Sequence, residues 1–164
     1  LLIFLTETLP FMIRYANKVI VVKFGGNNGS GNNNSAEVWN GSSWTEVNDL
    51  NTARRFLAAG GDETNALVFG GQPASGVTEE WNGTNWTEVG DLNTDRKATA
   101  TGVGTTTAAL IAGGFATAAV SVTETYNGSA WTEVGDLNTA RYLITGSGST
   151  TAGLAFSGDV DPGE

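Results

Sequence analysis

A chain of 164 residues and about 17.0 kDa has room for one domain and hardly for two. Eight Lys and Arg against 17 Asp and Glu leave a formal charge of −9, which argues against nucleic acid, whose phosphates need clustered cations. The absence of Cys and His excludes disulfides, thiolate zinc sites, Cys nucleophiles and the commonest general base and metal ligand.

Glycine (23), threonine (22) and asparagine (15) are abundant and Pro is scarce, a turn-rich composition that leans towards β-structure. The first apolar run, 1–5, lacks the cationic flank and small-residue cleavage site of a signal peptide. It is also far shorter than the roughly 20 residues that cross a bilayer, so no membrane insertion is expected. The Thr and Glu that follow it predict a strand over 1–8. A start on Leu1 without an initiator Met reads as a processed chain or a piece of something longer.

From about residue 12 the chain repeats itself. Residues 37–55 read EVWNGSSWTEVNDLNTARR, residues 79–97 read EEWNGTNWTEVGDLNTDRK, and residues 124–142 read ETYNGSAWTEVGDLNTARY. The offsets are 42 from Trp44 to Trp86 and 45 from Trp86 to Trp131. Between these segments an apolar run ends in a glycine pair: VVKFGG (21–26), ALVFGG (66–71), ALIAGG (109–114) and the degenerate GLAFSG (153–158).

Each unit reads as four strands. Strand a follows the Arg, at 56–60, 98–103 and 142–146, and strand b is the apolar run, whose continuous hydrophobicity suits burial on both faces. Strand c ends at Trp39, Trp81 or Tyr126, and strand d starts at Trp44, Trp86 or Trp131. Asn-Gly between c and d is a hairpin signal, because both residues tolerate positive φ. The polar Thr-Glu-Val of strand d suits an outer edge reached by water. Four antiparallel strands at this period describe a β-propeller blade.

These residues resemble the kelch repeat: a glycine pair after an apolar strand, then an aromatic, a Trp, a Leu and an Arg. Trp44, Leu50 and Arg54 are six and four residues apart, as are Trp86, Leu92 and Arg96, and Trp131, Leu137 and Arg141. Gly25, Gly26, Gly70, Gly71, Gly113 and Gly114 complete the pattern. The resemblance covers about 12 to 158 and implies an all-β fold, a β-propeller of kelch-like four-stranded antiparallel blades. About 3.5–4 blades fit in this chain, at roughly 12–48, 54–90 and 96–134 with a partial one at 140–158. Such an arc falls short of the usual ring. The strand at 1–8 closes it, or several copies join as a homo-oligomer, or the missing blades belong to a longer chain.

The Asp-Leu-Asn-Thr-x-Arg segments link strand d to the next strand a. In the ring that the resemblance implies, they crown one face together with the b-to-c loops. Asp49, Asn51, Asp91, Asn93, Asp136 and Asn138 are therefore candidate ligand residues; the competing reading is turn chemistry, with Asp and Asn bonding their own backbone. Arg54, Arg96 and Arg141 suit buried posts between blades. Trp44, Trp86 and Trp131 suit packing between blades, with Trp39 and Trp81 expected to be the more exposed pair. The variable b-to-c segments 27–35, 72–78 and 115–122 carry the individuality of the copies. Asn32, Asn33, Asn34 and Gln72 in them offer neutral donors and acceptors to a carbohydrate or protein ligand.

No catalytic set, phosphate-binding loop or metal-spaced cluster is found, and no cofactor or metal is expected. Kelch enzymes that resemble galactose oxidase need His ligands and a Cys–Tyr crosslink, which this chain cannot supply. The expectation is a non-enzymatic recognition or structural module on a secreted, cell-surface or virion assembly. The alternative is an enzyme resembling the kelch sugar isomerases, using Asp49, Asp91, Asp136 or the Arg ring; near-identical copies count against it, since a catalytic centre is asymmetric.

Overall fold

In the computed structural model, which describes residues 12–15, 18–27, 29–62, 64–97 and 101–160, each apolar run that ends in a glycine pair forms the second strand of an antiparallel sheet. The first sheet is β1 (Met12–Tyr15), β2 (Lys18–Asn27), β3 (Asn32–Trp39) and β4 (Trp44–Val47), hydrogen-bonded in that order. The second is β5 (Ala58–Gly61), β6 (Ala66–Phe69), β7 (Thr78–Trp81) and β8 (Trp86–Val89). The third is β9 (Thr101–Thr105), β10 (Ala108–Ala112), β11 (Thr123–Tyr126) and β12 (Trp131–Val134). A fourth sheet consists of β13 (Thr145–Gly148) and β14 (Gly153–Phe156). Among the described residues there is no helix, and the fold is all-β. The strand expected over 1–8 lies outside the described residues, as do 98–100 of the third inner strand.

The two central strands of the complete sheets repeat one register: Val68 faces Glu79 across β6 and β7, and Ile111 faces Glu124 across β10 and β11. Their hairpin turns are made differently from the expectation. Trp39 pairs with Trp44 and Trp81 with Trp86, so four residues form each loop, and of the Asn-Gly pairs only Gly41, Gly83 and Gly128 take positive φ. Asn40 instead accepts the amides of Ser42 and Ser43 at 2.9 and 3.0 Å through its side chain, and Asn82 and Asn127 do the same in their loops.

The inner strands begin later than their apolar residues suggest, at Ala58 and Thr145 where 56 and 142 were expected. Phe56 and Leu143 adopt φ of 55° and 57°, a left-handed conformation that no strand accommodates. The segment 27–35 is also less of a loop than its composition implies. β2 extends through Asn27 and β3 starts at Asn32, with the register shifting between Phe24 and Gly26.

Among the described residues two apolar cores form, each between consecutive sheets. Phe24 and Ala36 of the first sheet pack with Ala59, Val68, Trp81 and Trp86 of the second, and Leu50 of the connecting segment seals them. Leu67 and Phe69 of the second sheet pack with Ala109, Ile111, Tyr126 and Trp131 of the third, with Leu92 in the corresponding place. The first strands of successive sheets, β5, β9 and β13, lie side by side. Their small residues permit this approach: a Cβ on Gly60 would sit 2.8 Å from the carbonyl oxygen of Gly104. Gly60→Val should therefore cost about 1–3 kcal/mol, read as a lower urea midpoint with an unchanged slope.

The tryptophans correct one expectation. Trp81 is 2% exposed and Trp44 43%, the reverse of the anticipated order, while Trp86 and Trp131 are buried. Trp86 and Trp131, each at the start of a fourth strand, pack on the Phe of the preceding sheet, Trp86 on Phe24 at 6.0 Å and Trp131 on Phe69 at 4.8 Å between ring centroids. Trp44 belongs to the first sheet and has only Trp39 as a ring neighbour among the described residues, at 5.5 Å.

Candidate functional site

The repeated polar residues assemble into locks between sheets. After β4 the chain crosses to the second sheet, and the Arg54 amide donates to the Asn33 carbonyl at 3.2 Å while its own carbonyl accepts from Gly26 at 2.8 Å. The backbone of Arg54 is thus tied to the first sheet. Its guanidinium serves the second, donating to the carbonyls of Gly70 and Val77 at 2.5 and 2.6 Å and to Glu79 at 2.9 Å. Glu79, wholly buried on β7, also accepts the amide and side chain of Asn51 at 2.6 and 3.0 Å and the Thr52 amide at 3.3 Å.

The same lock recurs one sheet later. Arg96 donates to the carbonyls of Gly113 and Val122 at 2.9 and 2.6 Å and pairs with buried Glu124, which also accepts from Asn93 and Thr94. Burial pulls the Arg54 and Arg96 guanidinium groups below the usual arginine pKa, and the facing Glu79 and Glu124 counter it by favouring the charged form. A planar fork of donors meets a carboxylate and two carbonyls at once, which a lysine could not do.

These locks account for many of the residues singled out by the repeat. Asn51 and Asn93 have their side chains committed to Glu79 and Glu124, and each also donates to a Trp carbonyl, Trp86 or Trp131. Asp91 accepts the Thr78 amide at 3.0 Å and Asp136 the Thr123 amide at 3.3 Å, each closing the loop before the third strand of its sheet. Asp49 and Asn138 are exposed. Asn33 donates to Ser35, and Asn34 to the Leu50 carbonyl. Asn32 reaches the second sheet, donating to the Gln72 carbonyl at 2.7 Å.

The residues that differ between copies are placed together elsewhere. The residue after each repeated Arg pairs through its backbone with the residue after a glycine pair: Arg55 with Gln72, Lys97 with Phe115 and Tyr142 with Asp159. Three equivalent bridges therefore present unlike side chains at one end of the sheets. Phe56, Gln72, Lys97, Phe115, Tyr142 and Leu143 line a cavity of about 360 Å³ there. That volume falls within the range of small-molecule sites.

The cavity combines rings and cations. The Lys97 ammonium lies 4.9 Å from the Phe115 ring centroid, and Phe115 meets Tyr142 edge to face at 5.2 Å. Arg55 lies over Phe56 at 5.4 Å. None of the six lining residues is acidic, on a chain whose net charge is −9. Phe56 and Leu143 are 48% and 52% exposed, and their left-handed φ costs each of them on the order of 1 kcal/mol or more. Both residues hold the same place in the repeat, two positions after Arg54 and Arg141, and flank one cavity.

Of the ligand residues expected from sequence, only Gln72 lines this cavity. Phe115 opens the variable segment 115–122, whereas Phe56, Tyr142 and Leu143 read as the starts of inner strands and Lys97 as the end of a repeat. The signal that could have found them was their variation beside repeated Arg and Gly residues. Among the described residues no group of three or more Asp and Glu is arranged to hold a metal. No protein-family model matches the chain, and a comparison with curated proteins finds no significant match.

Proposed function

We propose that the sheets are blades of a kelch-like β-propeller and that the chain is a non-enzymatic recognition module, binding a small acidic carbohydrate at the end of the blades. The adjacent inner strands β5, β9 and β13 and the packing of each outer Trp on the preceding sheet support the propeller reading. The observation that carries the functional reading is the convergence of variable residues on one cavity, while Arg54, Arg96, Glu79, Glu124, Asn51 and Asn93 are used up in holding the sheets together. An isomerase-like site would need those Arg residues at an open mouth, yet Arg54 and Arg96 are fully buried.

Four of the six lining residues have a task in this reading. Phe115 and Tyr142 offer aromatic surface to the apolar face of a sugar ring, Gln72 offers a donor and an acceptor to hydroxyls, and Lys97 attracts the acid group. Titration of glucuronate, with glucose as the neutral control, tests the assignment by calorimetry. Glucuronate should bind saturably and more tightly than glucose, and Lys97→Glu should weaken it by about tenfold or more with circular dichroism unchanged. Absence of saturable binding, or equal affinities in the two proteins, would refute the site.

A further inference from the structure

Two cations at the cavity hold equivalent places in the repeat. Arg55 follows Arg54 and Lys97 follows Arg96, and each pairs through its backbone with the residue just past a glycine pair, Arg55 with Gln72 and Lys97 with Phe115. Each also has an aromatic ring beside it. The Arg55 guanidinium carbon lies 5.4 Å from the Phe56 ring centroid, and the Lys97 ammonium 4.9 Å from that of Phe115. A cation beside a ring therefore occurs twice, once at the second sheet and once at the third.

Backbone bonds join the two pairs into one row. The Gln72 amide donates to the Arg55 carbonyl at 2.7 Å, and the Gly71 amide just before it donates to the Arg96 carbonyl at 3.0 Å, next to Lys97. Lys97 and Phe115 exchange amides and carbonyls at 2.8 and 3.2 Å. Gln72 thus stands between the cations, held there by Asn32, which donates to its carbonyl at 2.7 Å. Phe56, Gln72, Lys97 and Phe115 all line the cavity, so one cavity spans both pairs. Arg54 spends its guanidinium on Glu79 and two carbonyls, whereas the half-buried Arg55 has an Nε that no acceptor among the described residues meets. A buried donor in that state gains from a ligand oxygen. The third bridge, Tyr142 with Asp159, adds no cation and brings an exposed acid.

On the premise of the sugar-binding reading, we infer that the site takes an acidic oligosaccharide, whose neighbouring uronic acid units seat one carboxylate at Lys97 and the next at Arg55. Phe115 and Phe56 offer surface to the apolar faces of the two sugar rings, and Gln72 meets the hydroxyls at their junction. The row runs from the second sheet to the third, which suits a linear chain laid across the sheets. Once the first carboxylate is seated, the second reaches Arg55 at high effective concentration, so the pair of subsites binds a linked ligand far better than either binds one sugar. The anionic register ends at Lys97, because the Tyr142 bridge carries Asp159 where a third cation would stand.

Calorimetric titration of the full chain with glucuronate and with its β-linked dimer tests the assignment. The dimer should bind at least about tenfold more tightly than the single sugar, beyond the roughly twofold gain that two equivalent ends give by statistics. Arg55→Gln should return the dimer to the affinity of the single sugar, whereas Lys97→Gln should weaken both ligands. In the wild-type chain, which needs no variant to fold, the gain should shrink in added salt, and cellobiose, the neutral dimer, should show no such gain over glucose. No saturable binding of either acid would overturn the sugar-binding reading and the two-unit ligand with it. Binding of glucuronate with a dimer no tighter than statistics allow would overturn the two-unit ligand alone, and so would a gain that survives Arg55→Gln or is matched by cellobiose.

Discussion

Glu124→Ala should lower the unfolding free energy by about 3–5 kcal/mol, the usual cost of removing one member of a buried ion pair. The size follows from what is left behind. Arg96 would remain a buried cation, and the Asn93 amide, Asn93 side chain and Thr94 amide would lose their acceptor inside the protein. Small domains have only about 5–15 kcal/mol in total, so one substitution would remove a large share. Arg96→Lys should cost less, about 1–3 kcal/mol, because the charge survives while the fork to Gly113 and Val122 does not. Urea denaturation followed by tryptophan fluorescence measures both, and the double variant gives the coupling. A Glu124→Ala variant that unfolds within about 1 kcal/mol of wild type would mean that the lock is not what joins the second and third sheets.

Phe69→Ala should be comparably damaging, at about 3–5 kcal/mol, through a cavity between the same two sheets. Phe69 is fully buried, and its ring packs against Trp131. Gly102 of β9 also lies close enough that a Cβ there would fall 3.0 Å from the end of that ring. The internal comparison sharpens the test. Phe156 holds the same repeat position but is 47% exposed, so Phe156→Ala should change stability by less than about 1 kcal/mol. Equal effects at the two positions would contradict the burial described for β6 and β14. Red-shifted Trp131 emission in Phe69→Ala alone would locate the damage.

Much of the architecture was legible in the repeat because its cause is local. Runs such as ALVF ahead of a glycine pair, and Trp-Thr-Glu-Val after an Asn-Gly turn, carry their strand preference within a few residues, and the structure pairs them antiparallel as read. Local reading failed where a single residue's backbone conformation decided the outcome. The β-leaning string from Phe56 to Gly60 hides a left-handed Phe56 that delays β5, because the chain must turn there to leave the lock. Trp exposure was also misjudged, since it depends on which sheet precedes each Trp and not on the Trp's own neighbours in sequence.

The polar residues show the same division. Repetition of Asp, Asn and Arg marked them as structural or ring-forming without naming their partners. Glu79 and Glu124 open the quoted repeats, yet their part in the locks depends on residues 25 to 31 positions away. The candidate cavity lay further still from what a linear reading reaches, because Phe56, Gln72, Lys97, Phe115 and Tyr142 hold recurring places in the repeat but share no residue type, and only the folded sheets bring them together.

Order along the chain thus settles the all-β class, the four-strand unit and the positions that recur, since alternation, turns and repetition act between near neighbours. Which carboxylate enters which cradle, which tryptophan is covered and which unlike residues meet at the rim are settled only by sheets packing on one another. Burial and hydrogen bonding there join residues dozens of positions apart, and no run of adjacent side chains encodes such a meeting.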